Sequence, residues 1–148
     1  MAPDQLNVCA VPVDRLGAVW PGVAPWFRDA FARNPEGTQS LRATRGRIAR
    51  GRYLLLLAGD ADAVRCAAIL ERGAPRGVAT VAVVAAGGER HAAFAGPGQA
   101  LWRAIMGIAR EQGAARVRVI GRPGWARWCA KQEGRRVGIK QVILDIGV

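Results

Sequence analysis

The stretch GVATVAVVAAGGERHAAFAGPGQALWRAIMGIAREQGAARVRVI, residues 77–120, combines three patterns that together indicate the fold class. Gly77–Ala86 is a nearly continuous apolar run, which is typical of a strand buried on both faces. Pro97-Gly98 then opens a long helix whose apolar residues recur at helical spacing until Gly113 ends it. Ala115–Ile120 alternates valine with arginine, which predicts another strand with its valines inward. A strand, a helix and a strand in succession predict an α/β domain.

The segments before and after this stretch supply the remaining elements of a single domain, residues 1–148. Because proline breaks a helix interior, Pro21 and Pro25 delay the expected start of the first helix to about Gly22 or Pro25. Thr38 is the predicted cap of the second helix. The predicted order is β-α-α-β-β-β-α-β-α-β. It begins with a strand Asn7–Val13, helices ending at Arg33 and at about Arg50, and strands Tyr53–Gly59 and Ala63–Glu71 joined by a Gly-Asp-Ala-Asp turn. After the elements of residues 77–120 come a helix that begins at Pro123 and ends before Gly134, and a last strand or strand pair in Val137–Ile146.

The composition is that of a globular and strongly basic chain. Of 148 residues, 51% are hydrophobic and 22% are charged, the balance of a folded domain. The 22 basic residues exceed the 11 acidic ones, and all of them except Lys131 and Lys140 are arginine. A GC-rich genome favours arginine codons whatever the function, whereas recognition of phosphate or carboxylate favours the guanidinium group. The net charge of +11 predicts attraction to nucleic acid or an acidic protein surface.

The cysteines indicate neither a disulfide framework nor a metal site. Cys9, Cys66 and Cys129 are far apart and flanked by apolar residues, so each is expected to be a small buried hydrophobe in a reducing compartment. No cluster of histidine, cysteine or carboxylate has metal-ligand spacing. The N-terminus has no basic segment ahead of an apolar run, and the longest apolar stretches are too short to span a bilayer. We therefore expect no metal, no membrane and no secretion.

Three short motifs carry a resemblance that covers nearly the whole chain. They are Trp20-Pro21…Pro25-Trp26, Val83–Gly88 with its Gly-Gly end, and the sequence Gly-Arg-Pro-Gly-Trp-Ala-Arg of residues 121–127. Together with the order of elements, they resemble the GNAT-type N-acetyltransferases, and in particular small GNAT-like proteins of tailed bacteriophages. The resemblance implies a mixed, mostly antiparallel central sheet with about four flanking helices. It also implies that the sheet opens in the middle to admit acetyl-coenzyme A.

In active members of that family, a glycine-rich turn between the fourth strand and the next helix holds the pyrophosphate of the cofactor. Backbone N–H groups and the positive end of a helix dipole suit that role. The full family pattern, a basic residue or glutamine, two others, then Gly-x-Gly or Gly-x-Ala, is not present. The glycines here are either turn residues or an anion nest of different geometry. If acetyl-coenzyme A binds, the resemblance implies contacts from Val83, Val84, Ala85, Gly87, Gly88, Gly96 and Gly98.

The resemblance also implies catalytic side chains, and few residues fill these roles. The family often places a tyrosine on the last helix as a general acid, but the one tyrosine of this chain, Tyr53, begins a predicted strand. A general base would be a glutamate or histidine near the opened strands. The candidates are Glu71, Glu89 and His91, although such residues at strand ends are commonly solvated surface groups.

Two basic groups are candidates for polyanion binding. On the second helix, the hundred-degree step places Arg42, Arg47 and Arg50 outward, with Arg45 at the edge. The other group surrounds the last helix, whose tryptophans either stack on bases or belong to the core. The basic side chains either contact phosphate or form a solvated face. The candidates are Arg42, Arg45, Arg47, Arg50, Arg122, Arg127, Lys131, Arg135 and Arg136.

Two functions of different classes follow. The missing phosphate pattern and tyrosine favour a phage-type GNAT-fold protein with a degenerate cofactor loop, acting as a basic structural or interaction component. Its place would be the virion or the host cytoplasm, and its partners nucleic acid, an acidic protein surface or other virion proteins. The alternative is an acetyl-coenzyme-A-dependent N-acetyltransferase that modifies an amine on a protein or small molecule.

Overall fold

The centre of the fold is a mixed sheet. The computed structural model describes residues 6–32, 40–89, 96–120, 128, 129, 131 and 143–147. Within these, the strands are β1 Asn7–Ala10, β2 Tyr53–Gly59, β3 Val64–Gly73, β4 Thr80–Gly88, β5 Arg116–Ile120 and β6 Ile143–Gly147, and the helices are α1 Leu16–Ala32, α2 Leu41–Ala49 and α3 Gly96–Glu111. The strands are hydrogen-bonded in the order β1-β2-β3-β4-β5-β6. The pair β4–β5 is parallel and the other pairs are antiparallel, which confirms the predicted sheet type.

Helices cover both faces of the sheet, and each face has its own core. Along β2, Leu55 and Leu57 face α1 and α2, whereas Leu56 and Ala58 face α3. This alternation follows from the two-residue period of a strand and explains why the run between Tyr53 and Gly59 is apolar throughout. In β5, Val117 and Val119 are buried on the α3 face, as the alternating pattern predicts. We call the two sides the α3 face and the α1–α2 face.

Helix α1 shows where the sequence-based expectation was wrong. It runs without interruption from Leu16 to Ala32 and contains both Pro21 and Pro25. A proline leaves the carbonyl four residues earlier without its helical donor, and here those residues, Gly17 and Pro21, are exposed to water. The opposite side of the helix is continuously apolar and buried, including Trp20 and Phe27. Burying each such side chain is worth about 1.5–3 kcal/mol, which offsets the cost of the prolines.

The start of helix α2 also differs from the expectation. Ser40, not Thr38, is the cap: its side-chain oxygen accepts the backbone N–H of Ala43 at 3.1 Å. Thr44 is fully buried, and its hydroxyl donates to the carbonyl of Ser40 at 2.8 Å. These two contacts fix the first turn of α2 two residues later than predicted.

The remaining predictions differ mainly at their boundaries. β1 ends at Ala10 rather than Val13, because a 3-10 turn begins at Val13. β4 begins later and ends later than predicted, so Gly87 and Gly88 belong to the strand rather than closing it. Of the predicted fourth helix, Trp128, Cys129 and Lys131 are helical, and its other residues lie outside those described. Residues 137–142 of the predicted last strand also lie outside.

Candidate functional site

The candidate site is the gap where β4 and β5 separate. Their parallel pairing runs from Thr80 opposite Arg116 to Val83 opposite Val119. β4 then continues to Gly88, whereas β5 ends at Ile120. Among the described residues, no strand pairs with this edge of β4 after Val83. The gap therefore presents backbone donors and acceptors that an extended ligand can pair with, as an added strand does.

A β-bulge lies at the beginning of this gap. On β3, Ile69 pairs with Ala85 of β4, but the next residue, Leu70, pairs with Val83. Val84 is therefore the extra residue on β4. As a result, Val84 and Ala85 both lie in the core of the α1–α2 face, while Val83 lies on the α3 face. A bulge bends its strand and increases the local twist, and this one lies where the pairing of β4 with β5 ends. These three residues are predicted site residues, but the bulge has no signal in the sequence because every residue from Val81 to Ala86 is apolar.

Gly87 and Gly88 allow close packing at the far end of β4. A Cβ atom on Gly87 would lie 2.9 Å from Cβ of Trp26 on α1. A Cβ atom on Gly88 would lie 2.6 Å from the carbonyl oxygen of Arg65 and 2.6 Å from Cβ of Cys66 on β3. Both glycines are paired with β3 within the sheet, opposite Ala67 and Cys66. Their absent side chains thus let a helix and a strand approach β4 closely beside the gap.

The N-terminus of α3 follows the gap along the chain. Gly96, Pro97 and Gly98 form its first turn, and Gly98 is buried. The N–H groups of Gly96 and Gly98 precede the first possible intrahelical bonds, so they are among the donors that a helix leaves for other acceptors. This Gly-x-Gly occupies the place that the resemblance gives to the phosphate-binding turn. In the sequence, Ala93 stands where the family has a basic residue or glutamine.

An ion-pair network joins the β2–β3 turn to the end of β4. The Nε atom of Arg65 lies 2.9 Å from an oxygen of Asp60, and its Nη1 atom lies 3.0 Å from an oxygen of Glu89. The backbone N–H of Glu89 also donates to the carbonyl of Arg65 at 2.8 Å. In the turn, Asp60 accepts the N–H groups of Asp62 and Ala63, which confirms the predicted hairpin turn. Arg65 therefore anchors the point at which the chain leaves β4.

This network has a measurable acid dependence. The hydrogen bond from Arg65, with those from the backbone of residues 62 and 63, lowers the pKa of Asp60 from 3.8 to about 2. A lowered folded-state pKa contributes stability above pH 3.8 that is lost as the pH falls toward 2. We expect Arg65→Gln to raise the pKa of Asp60 back toward 3.8, measured by NMR titration of the carboxyl carbon. Arg72→Gln, an exposed arginine on the same strand, should not change it; an equal effect would contradict the pairing.

The predicted general bases occupy different environments. Glu89 is held by Arg65. Glu71 is exposed on β3, directly opposite Tyr53 of β2 and Ala82 of β4, and so lies on the α1–α2 face just before the bulge. Tyr53 is buried on the α1–α2 face, with its hydroxyl 3.3 Å from Nη1 of Arg47, whereas Trp128 and Cys129 of the last helix belong to the α3 face. His91 lies outside the described residues. Of the two described candidates, Glu71 is therefore the one whose exposed carboxylate is not held in an ion pair.

Some of the predicted polyanion-binding residues are exposed, one is half-buried, and the others lie outside the described residues. Arg42, Arg45 and Arg50 are exposed, as is Lys131. Arg47 was predicted to point outward but is half-buried, because its guanidinium lies 5.6 Å from the ring centre of Tyr53. Arg122, Arg127, Arg135 and Arg136 lie outside the described residues.

The described residues of the last helix belong to the core. Cys129 is fully buried on the α3 face, and Trp128 packs edge-on against Trp102 with ring centres 6.2 Å apart. Trp128 is thus a packing residue, while Trp125 lies outside the described part. Cys66 is also buried, which raises the pKa of its thiol to about 11. The prediction that each cysteine is buried was wrong for Cys9, which is exposed on the edge strand β1.

Comparison with solved structures identifies this architecture. An acetyltransferase from Bacillus subtilis in complex with CoA has a TM-score of 0.64 at 14% identity, covering 87% of this chain and 76% of that one. A predicted acetyltransferase from Clostridium acetobutylicum with acetyl-CoA has a TM-score of 0.60 at 9% identity, covering 93% and 94%. An aminoglycoside acetyltransferase from an uncultured soil metagenomic sample has a TM-score of 0.65 at 9% identity, covering 95% and 93%. The chain has the GNAT-type fold.

At these identities the likeness concerns the GNAT-type fold alone. No family model matches the sequence, and no curated protein matches it. In the described part of the chain, no helix of the GNAT-type fold is both long enough and apolar enough to cross a membrane. The separation of β4 from β5, the bulge and the glycine-led helix α3 are nevertheless properties of this chain's own backbone.

Proposed function

We propose that this protein binds acetyl-coenzyme A in the gap between β4 and β5 and transfers its acetyl group to an amine. The observation that carries the proposal is the exposed edge of β4, which begins at the bulge and leads along the chain to the N-terminus of α3. Two of the solved structures with this fold contain CoA or acetyl-CoA. The incomplete family pattern in the sequence favoured a protein without catalysis. In the structure, however, its Gly-x-Gly lies in the first turn of α3, where backbone N–H groups are available to a ligand.

The residues present fit such a ligand in two places. The edge of β4 after Val83 supplies backbone groups for an extended, amide-containing chain. The N–H groups of Gly96 and Gly98, with the helix dipole, suit a pyrophosphate. Arg65 supports both places indirectly, because it fixes Glu89 at the exit from β4.

Acetyl-coenzyme A supplies a thioester-activated acetyl group, whose transfer forms an N–C bond, breaks the C–S bond and releases the thiol. The residues of this chain would hold the reactants and accept the proton that the amine loses. Glu71 is the candidate base, since its carboxylate is exposed on the α1–α2 face one strand from β4. The role of a phage structural component stays a prediction of the sequence, and the described residues do not test it.

Binding of acetyl-coenzyme A tests the proposal. Ligand at a hundred times its dissociation constant should add about 2.7 kcal/mol to the free energy of unfolding. For a domain of this size, the melting temperature should rise by about 5–10 °C. In Gln99→Glu, a negative charge in the first turn of α3 favours the helix dipole but repels a pyrophosphate, so we expect affinity to fall about tenfold without loss of stability.

Gln112→Glu provides the matched control. It makes the same change of charge at the other end of α3, about 20 Å away, so affinity for acetyl-coenzyme A should remain within about twofold of the unaltered protein. The absence of any thermal shift at millimolar acetyl-coenzyme A would overturn the proposal. Equal weakening by both variants would place the ligand elsewhere.

A further inference from the structure

Helix α2 and the turn that follows it carry four exposed arginines, which we call the α2 basic face: Arg42, Arg45, Arg50 and Arg52. The sequence contains no acidic residue between positions 40 and 59. In the described part of the chain, none of these four guanidinium groups has a carboxylate within ion-pair distance. The face therefore carries four positive charges that no carboxylate balances within the structure described.

The helix dipole favours Arg47 and Arg50 at the C-terminal end of α2, but it does not explain Arg42 or the repulsion between neighbouring arginines. Arg42 lies in the first turn, where the dipole favours acidic residues, and the first turn has none. Arg42 and Arg45 are three residues apart, as are Arg47 and Arg50, and like charges at this spacing repel on a helix. An anionic partner would remove both penalties, whereas solvation alone leaves them in place.

We propose that the α2 basic face binds an acidic segment of a peptide, and that this peptide carries the amine to be acetylated. The second part rests on the proposed function. From Arg42 to Arg50 the helix rises about 12 Å, which matches four to five residues of an extended peptide. Guanidinium groups pair with carboxylates in bidentate fashion, so a short run of aspartate or glutamate complements this face.

The same dimensions argue against nucleic acid. A protein that depends on phosphate contacts commonly makes about 6–10 of them, more than this short helix offers. Binding of single strands depends on exposed aromatic rings. Among the described residues, the exposed large hydrophobic side chains are Val13 and Val64, and neither is aromatic.

The position of α2 relative to the gap sets the geometry of the acceptor. α2 packs on β2, on the same face of the sheet as Glu71. β2 is two strands from β4, about 10 Å along the sheet, but α1 packs on β4 on this face. Passing over a helix about 10 Å across lengthens the path of an extended peptide to about 20–30 Å. The acidic run should therefore begin about six to nine residues after the acceptor amine.

The test measures peptide binding separately from acetyl transfer. The probe is a synthetic peptide with a free N-terminus, seven neutral residues and then five glutamates, labelled at its C-terminus for fluorescence anisotropy. We expect Arg42→Gln with Arg50→Gln to weaken binding about tenfold, and added salt to weaken binding to the unaltered protein. The matched control is Arg103→Gln with Arg110→Gln, two exposed arginines of α3 on the opposite side of the sheet, which should change affinity less than about twofold.

Each outcome decides between the proposals. Equal weakening of peptide binding by the two double variants would overturn the proposal that the peptide binds to the α2 basic face. Tighter binding of a DNA duplex of equal charge, lost only in the α2 variant, would overturn the peptide in favour of nucleic acid. Moving the glutamates next to the amine should reduce acetyl transfer but not binding, and unchanged transfer would overturn the acceptor geometry. Peptide binding without any binding of acetyl-coenzyme A would overturn the proposed function and leave the peptide surface standing.

Discussion

Replacing Gly88 with alanine is expected to lower the free energy of unfolding by about 3 kcal/mol, because overpacking forces the backbone to shift. The new Cβ atom would lie 2.6 Å from the carbonyl oxygen of Arg65 and 2.9 Å from Cα of Cys66. These are backbone atoms of the neighbouring strand, so no side-chain rotation relieves the contact. Chemical denaturation should show the loss, with a fall in melting temperature of about 6–12 °C.

The control for Gly88 is another glycine in open surroundings. Gly22 is exposed on α1, and an added Cβ there would meet nothing within 4 Å. Alanine is the better helix former, so Gly22→Ala should stabilise the protein by about 0.5–1 kcal/mol. The two substitutions are chemically identical and should have opposite signs. A stable Gly88→Ala variant would mean that β3 and β4 are not as close as described beside the gap.

Phe27→Ala is expected to cost about 3–5 kcal/mol. Phe27 has no exposed surface, and its ring stacks on Trp20 with the centres 5.8 Å apart. Its removal leaves a cavity between α1 and the sheet, in the core that also contains Val84 of the bulge. We therefore expect weaker binding of acetyl-coenzyme A as well as lower stability. The measurement is equilibrium unfolding in urea, with titration of the ligand under conditions in which the variant is folded.

The neighbouring residue provides the control for this prediction. Arg28 is exposed on the same helix, so Arg28→Ala should change stability by no more than about 0.5 kcal/mol. Similar losses for the two variants would contradict the amphipathic arrangement of α1, in which the prolines and Arg28 face water and Phe27 faces the sheet.

The cores of the strands and the long helix were predictable because their patterns are local. The alternation of valine and arginine in β5 and the apolar stripe of α3 repeat with the period of the element that they form. The predicted ends of helices and strands were less accurate where more than one nearby residue can act as a cap. Thr38 and Ser40 are both suitable caps, and the contact of Ser40 with Ala43 decides between them.

Contacts between distant residues account for what the sequence did not reveal. The course of α1 through Pro21 and Pro25 depends on burial of its apolar side against the sheet, which outweighs the local preference of proline. Arg47 is half-buried because Tyr53, on the following strand, offers its ring and hydroxyl. The bulge at Val84 depends on the register with β3, since a continuous apolar run fits either face.

The amino-acid sequence by itself determined the α/β class, the order of the main elements and the excess of arginine, because hydrophobic period and charge are properties of short segments. Only the tertiary structure decided that β4 and β5 separate after Val83, and that Gly87 and Gly88 serve close packing beside that gap. Strand separation is a relation between residues more than thirty positions apart, and no local pattern of side chains encodes it.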